Sequence, residues 1–250
     1  MAGHSKWSNI KHRKGAQDKK RAKLFTKLGK ELTISAKEGG GNIDFNPRLK
    51  LALDKAKAGN MPKDNIERAI KKGTGELEGV EFVEMRYEGY GPAGTAFIVE
   101  VVTDNKNRSA SSVRSSFSKK GGNLGTDGAV SWMFNKNGLI VIEAEGVDEE
   151  ELMMTALEAG ADDVKAEGDV FEVLTDPASF QEILTALTDA GYKYEEAEIT
   201  MIPENKVEIT DVDTAKKVLA LYETLEDIDD VDDVYSNFEI SDEIMEEAMA

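Results

Sequence analysis

The 250-residue chain has no cysteine, which rules out disulfides, thiolate-bound zinc and thiol catalysis together. Histidine is almost missing too. His4 and His12 are the only two, and no carboxylate spacing around either suggests a metal site. Were Met1 removed, Ala2-Gly3-His4 would offer a square-planar Cu(II) or Ni(II) site, an incidental trait rather than a function. No apolar run approaches the roughly 18 residues a membrane span requires, so no membrane association is expected. The basic N-terminal stretch has no apolar core after its charges, so no secretory signal is expected and a cytoplasmic address fits best. There is no Ser–His–Asp order and no Walker sequence. No catalytic residue, metal or cofactor is assigned, and an enzyme is the weakest of the functional classes. A carboxylate-dependent nuclease is the formal exception, but the acids are scattered rather than convergent.

What the chain does have is a polarity of charge. Residues 1–75 hold 19 Lys/Arg against seven Asp/Glu, a balance of +12. Residues 76–137 are near neutral, and residues 138–250 hold five against 34, a balance of −29. The overall −18 would repel a polyanion. Within a Debye length of roughly 8 Å, however, a ligand feels the local patch. A basic module on an acidic body reads as an oriented polyanion binder.

The basic third is helical. From Asp18 to Lys37, Leu24, Phe25, Leu28, Leu32 and Ala36 share an arc about 120° wide at 100° per residue. Lys19, Lys20, Lys23, Lys27, Lys30 and Lys37 share another of about 100°, with Ile34 intruding. Gly39-Gly40-Gly41 ends the helix. A second helix starts at Asn46-Pro47, cap then proline, and buries Leu49, Ala52, Leu53 and Ala56. A third opens at Pro62 and runs through Ile66, Ala69 and Ile70 to Gly73. Short connections make these a three-helix bundle.

From about Glu78 the period becomes that of strands. Strands 82–87 and 95–103 flank the turn Gly89-Tyr90-Gly91-Pro92, a helix carries Ala110, Val113 and Phe117, and Ala129–Phe134 reads as a further strand. After an expected turn at Asn137-Gly138, the order strand, helix, strand, helix, strand over 139–202 approaches the split-βαβ, ferredoxin-like arrangement. Val207–Thr210, a helix over 214–225 and Val231–Ile240 then form a unit that needs a partner. The expected architecture is an α+β multidomain chain: an all-α three-helix basic domain at 1–78, a split α+β domain made of 79–135 plus 206–241, an inserted acidic ferredoxin-like domain at 136–205, and a tail at 242–250, mobile or a short helix.

The stretches Gly3-His4-Ser5-Lys6-Trp7, Lys11-His12-Arg13-Lys14, Asn60-Met61-Pro62-Lys63-Asp64-Asn65-Ile66-Glu67-Arg68-Ala69-Ile70, Tyr87-Glu88-Gly89-Tyr90-Gly91-Pro92, Asp104-Asn105-Lys106-Asn107-Arg108 and Gly121-Gly122-Asn123-Leu124-Gly125 resemble the YebC/PmpR family. They lie in order through the N-terminal half. The C-terminal half resembles the family in pattern and at Met201-Ile202-Pro203. The resemblance implies three domains and DNA-binding transcriptional regulation. It also implies an alternative, a ribosome- or RNA-associated role in translation, acting on elongation or on specific mRNAs.

The candidate nucleic-acid contacts are Lys6, Trp7, Lys11, Arg13 and Lys14 on the arm, Lys19, Lys20, Lys23, Lys27 and Lys30 on the stripe, and Lys63, Asn65, Arg68, Lys71 and Lys72 on the third helix. Trp7 among cations suits stacking on unpaired bases, or pins the arm to the bundle. Helices two and three match a helix–turn–helix in spacing, with Asn65 and Arg68 as base readers, or form a plain hairpin. Arg108, Arg114, Lys119 and Lys120 make a second basic spot, to which amides freed by Gly121 and Gly122 would add an anion nest. The run Asp227, Asp229, Asp230, Asp232 and Asp233 lacks a calcium loop's glycine and spacing and reads as a solvated turn. The acidic half is expected to point away from nucleic acid or toward a basic protein partner.

Overall fold

The computed structural model describes residues 17–79 and 81–249, with side chains from residue 22 onward. Helix α1 (Gln17–Gly39) is the axis of the helical domain. Helices α2 (Pro47–Ala58) and α3 (Lys63–Gly73) both pack along it and touch each other far less. Leu32, Ala36, Leu49, Ala52, Ala56, Ile66 and Ala69 form its core. Asn46 fixes the entry to α2: its side chain accepts from Leu49 N at 3.0 Å and donates to Ser35 O and Gly40 O at 2.7 and 2.8 Å.

Strands β1 (Val83–Tyr90), β2 (Ala96–Thr103), β3 (Asn123–Leu124) and β9 (Val231–Ser236) form one antiparallel sheet in the order β3-β1-β2-β9. A strand near the C-terminus thus completes a sheet that begins at Val83. Helices α4 (Lys106–Lys119) and α7 (Val212–Glu226) share its core with Phe97, Val99 and Val101, where Phe97 and Phe117 meet edge to face at 6.1 Å. The other face of β2, Ala96 and Ile98, packs with Val130, Phe134 and Tyr235. Both faces of β2 are covered, which is why its apolar residues run continuously rather than alternate. A parallel pair, β8 (Val207–Ile209) and β10 (Phe238–Ile240), and helix α8 (Asp242–Met249), whose Met245 is buried, join the same core.

Between these halves lies an inserted sheet, β4 (Phe134–Glu143), β5 (Asp163–Glu167), β6 (Val170–Thr175) and β7 (Tyr194–Pro203), in the order β5-β6-β4-β7. Helices α5 (Glu149–Glu158) and α6 (Phe180–Asp189) back it. This is the ferredoxin-like strand order. The chain is an α+β multidomain protein with one sheet domain inserted in the other.

Three local expectations are corrected. Residues 129–133 form a loop and a 3-10 turn, Ser131–Met133, instead of a strand, because the buried Glu88 carboxylate accepts from Gly128 N, Val130 N and Ser131 N at 3.0, 2.8 and 2.8 Å. Asn137-Gly138 is not a turn. Gly138 pairs with Thr175 inside β4, and a Cβ there would overlap Thr175 Oγ1 and the Phe180 ring. Finally, the strand expected at 231–240 breaks at Asn237, whose side chain accepts from Ala96 N at 2.7 Å and donates to Asn205 O at 3.2 Å.

Candidate nucleic-acid interface

The described part of the lysine stripe of α1, from Lys23 onward, does not stand free. Lys23 Nζ donates to Glu226 O and pairs with Asp227 at 3.5 Å. Lys27 Nζ donates to Asp232 O at 2.5 Å. Lys30 Nζ reaches Val102 O at 3.0 Å and Asp229 O at 2.8 Å, and lies 3.6 Å from the Asp230 carboxylate. Spacings of four and three residues align these cations on one helix face, and that face is seated on the turn between α7 and β9. Ile34, the apolar intruder in the stripe, is buried as well. Burial pulls the Lys23 amine below its ordinary value, with Asp227 opposing.

The acidic run 227–233 is therefore not simply a solvated turn. It is the partner of the chain's own basic helix. Asp230, 5% exposed, is its anchor: Arg108 holds it through Nε at 2.9 Å and a second guanidinium nitrogen at 2.7 Å, and Ser109 Oγ donates at 2.8 Å. Arg108 also pairs with Asp104 at 2.8 Å, so it belongs to this anchor more than to a free basic spot.

Further ion pairs fasten the helical domain. Arg48 binds Glu31 and Glu38 of α1 and Glu84 of β1, and the bonds to Glu31 first and Glu84 second drive its pKa upward against the cost of burial. Lys37 pairs with Glu81 at 2.7 Å and Lys55 with Glu198 of β7 at 3.3 Å. A cleft of about 780 Å³ opens where the domains meet, lined by Arg48, Lys55, Arg86, Glu84, Glu100 and Asp233 among others. Its arginines and Lys55 are each matched by carboxylates, so it offers no net positive field. No group of three or more His, Cys, Asp or Glu side chains placed to hold a metal ion occurs among the described residues.

The cations left over lie elsewhere. On α3, Arg68, Lys71 and Lys72 are exposed and without an ion pair among the described residues, in an arc of about 120° bordered by half-buried Asn65. Lys63 has only a 3.6 Å pairing with Glu67, itself exposed. Because α3 leans on α1 rather than on α2, the pair is not clasped as a helix–turn–helix. Lys50 of α2 is also exposed, as is Lys57, which has only a 3.9 Å pairing with Asp54. Sequence reasoning missed them because α2 shows no continuous basic stripe. Lys6, Trp7, Lys11, Arg13 and Lys14 lie outside the described residues, as do His4 and His12, and so do the side chains of Lys19 and Lys20.

In the second spot Arg114 and Lys119 are exposed and Lys120 half-buried, all three unpaired among the described residues. Of the amides expected to form an anion nest beside them, that of Gly122 is given to Phe117 O at 2.8 Å, next to the Lys120 amide on Ser116 O and Phe117 O. Gly122 is there for close approach, since a Cβ would sit 2.7 Å from Tyr90 O.

Comparison with known proteins bears on this arrangement. Residues 5–76 match the family model described as the TACO1/YebC protein N-terminal domain, and residues 82–238 that of the TACO1/YebC second and third domain. A probable transcriptional regulatory protein of Fusobacterium nucleatum is 71% identical over 247 residues, 99% of each chain. One of Geobacter sulfurreducens is 60% identical over the whole of both chains. The crystal structure of a conserved hypothetical protein from Aquifex aeolicus, 48% identical, superposes with a TM-score of 0.81 over 90% of this chain and 93% of that one.

Proposed function

Because the chain belongs to the TACO1/YebC family, whose relatives carry the name of probable transcriptional regulators, we propose that it is a non-enzymatic, nucleic-acid-binding regulator acting on DNA. The observation that carries this reading is the set of uncommitted cations on α3, Arg68, Lys71 and Lys72, packed against a helix whose Lys23, Lys27 and Lys30 are occupied. Phosphate neutralisation by such side chains releases counterions and makes affinity fall steeply with salt. The basic arm at 6–14 adds charge to the same domain. The exposed acids of α5, Glu149, Glu150 and Glu151, beside exposed Met153, Met154 and Leu157, form the surface offered to a basic protein partner.

Anisotropy titrations with duplex DNA at several salt concentrations test the reading. Replacing Arg68, Lys71 and Lys72 together by alanine should lower the slope of log affinity against log salt by about 3, since each lost phosphate contact removes about 0.9. An unchanged slope and affinity would remove α3 from the interface. Preferential recovery of ribosomal or messenger RNA in cellular crosslinking would replace transcription by translation as the setting.

A further inference from the structure

Helix α4 differs in composition from the rest of the chain. Asp and Glu make up 49 of the 250 residues, enough to expect about three in a helix of 14, yet Lys106–Lys119 has none. It carries six serines instead. Serine is a mediocre helix former, because its hydroxyl competes for backbone groups. Two of the six serve the core. Ser109 and Ser116 are buried, and their hydroxyls donate to Asn105 O and Asp230 and to Ser112 O. Ser111 and Ser118 are exposed and Ser115 half-buried, and none of these three hydroxyls bonds another described residue.

The free groups share one side of the helix. At 100° per residue, Asn107, Ser111, Arg114, Ser115, Ser118 and Lys119 fall in an arc of about 140°. Ser109, Val113, Ser116 and Phe117, all buried, lie opposite. From Asn107 to Ser118 the row runs about 16 Å along the axis. Arg114 and Lys119 are exposed and make no ion pair among the described residues. Lys119, in the last turn, complements the helix dipole, but Arg114 in mid-helix has no such task. Burial raises the pKa of the Tyr87 phenol and the charge of Arg114 opposes it, which places the guanidinium near a hydroxyl whose one partner among the described residues is the Met85 sulfur at 3.9 Å. Cations, hydroxyls and an amide, with no carboxylate among them, are the side chains that meet a sugar-phosphate backbone. A surface for a protein partner would instead centre on apolar or aromatic groups, and this face exposes none. Side chains as short as serine also let a strand approach the helix closely.

We propose that this face of α4 is a second, sequence-independent contact for duplex DNA, in which Arg114 and Lys119 neutralise phosphates and Asn107, Ser111 and Ser118 donate hydrogen bonds to backbone oxygens. It rests on the nucleic-acid reading above and extends the interface from the helical domain to the split domain.

Two variants of the full chain, titrated by anisotropy with a random-sequence duplex at several salt concentrations, test it. Arg114→Gln with Lys119→Gln should lower the slope of log affinity against log salt by about 1.8, two contacts at about 0.9 each. Ser111→Ala with Ser118→Ala removes no charge, so the slope should stay while affinity falls by about tenfold, each bond being worth a factor of about three. Neither variant should lower the melting temperature, since all four side chains are exposed and alanine is the better helix former. The proposal is overturned if the glutamine variant keeps the wild-type slope, or if the alanine variant binds as tightly as before. Should no duplex bind even at low salt, the regulator reading fails and this inference with it. Should the α3 alanine variant lose its slope while both α4 variants match wild type, the inference alone fails.

Discussion

Replacing Asp230 by alanine probes the joint on which the arrangement depends. The carboxylate is buried and receives two bonds from Arg108, one from Ser109 and the charge of Lys30. Burial by itself would raise its pKa, but these partners more than offset that and hold it below the ordinary value. Removing one member of a buried ion pair costs about 3–5 kcal/mol when the other charge is stranded. Arg108 is not stranded, since its side chain is 51% exposed and keeps Asp104. Lys30 likewise keeps two backbone carbonyls. The low end applies, about 3 kcal/mol, or roughly 6–12 °C in melting temperature for a chain of this length. Asp229→Ala is the control, because Asp229 contributes its backbone oxygen to Lys30 and its side chain is exposed. It should cost under about 0.5 kcal/mol. Urea denaturation at neutral pH measures both. The stabilisation from Asp230 is present above the ordinary carboxylate range and lost as pH falls through its lowered folded value. The gap between wild type and Asp230→Ala should therefore close in acid. If the two variants lose the same small amount at pH 7, Asp230 is not the anchor.

Glu196 and Asp232, each pushed to about 7, behave in the opposite sense. Burial is the main cause for both, seconded by Glu198 at Glu196 and by Asp233 at Asp232, against opposition from Lys55 and Lys27 respectively; Glu195 and Glu172 also face Glu196, as Glu31 and Glu100 face Asp232. Between about pH 4 and 7 the folded chain binds more protons at these sites than the unfolded chain, so stability falls as pH rises through that window. The double variant Glu196→Gln, Asp232→Asn should flatten the decline in urea midpoint between pH 5.5 and 8, and a profile parallel to wild type would refute the assignment. Gly138→Ala should destabilise by about 1–3 kcal/mol, since the new methyl must displace Thr175 and Phe180, both almost wholly buried. A thermal melt within error of wild type would show that β4 and α6 move apart freely there.

The helices were legible because their signals are local. Asn46-Pro47 opens α2, and the glycines at 39–41 close α1, as capping chemistry dictates. The insertion was legible too, since the strand–helix–strand of 207–240 needed a sheet to join. Gly138 was misread because Asn-Gly marks hairpin turns, and only the approach of Phe180 explains a glycine in mid-strand. Residues 129–133 were misread because alternating apolar residues suggest a strand, whereas the acceptor that bends them, Glu88, lies about 40 residues away. The lysine stripe was visible as a pattern, but its partner was not: helical periodicity identifies a face without saying what covers it.

That last point changes the meaning of the +12 to −29 polarity. Self-repulsion disfavours a compact domain of such positive charge. In the fold Lys23, Lys27, Lys30, Lys37, Arg48 and Lys55 all meet carboxylates or carbonyls, each with at least one partner beyond the helical domain. Opposite charge along the sequence is thus first a device for docking one part of the chain on another. Among the described residues, the field that remains is smaller and lies on α3, the outer side of α2 and the end of α4. Salt acts on the two uses differently, because screening is strong for exposed charges and weak for partly buried ones. Lys30, with a side chain 11% exposed, should hold its place in salt that already strips phosphate from Arg68, Lys71 and Lys72. The salt dependence of binding therefore reports the uncommitted cations, and the number it yields should be well below the 19 that the sequence alone supplies in residues 1–75.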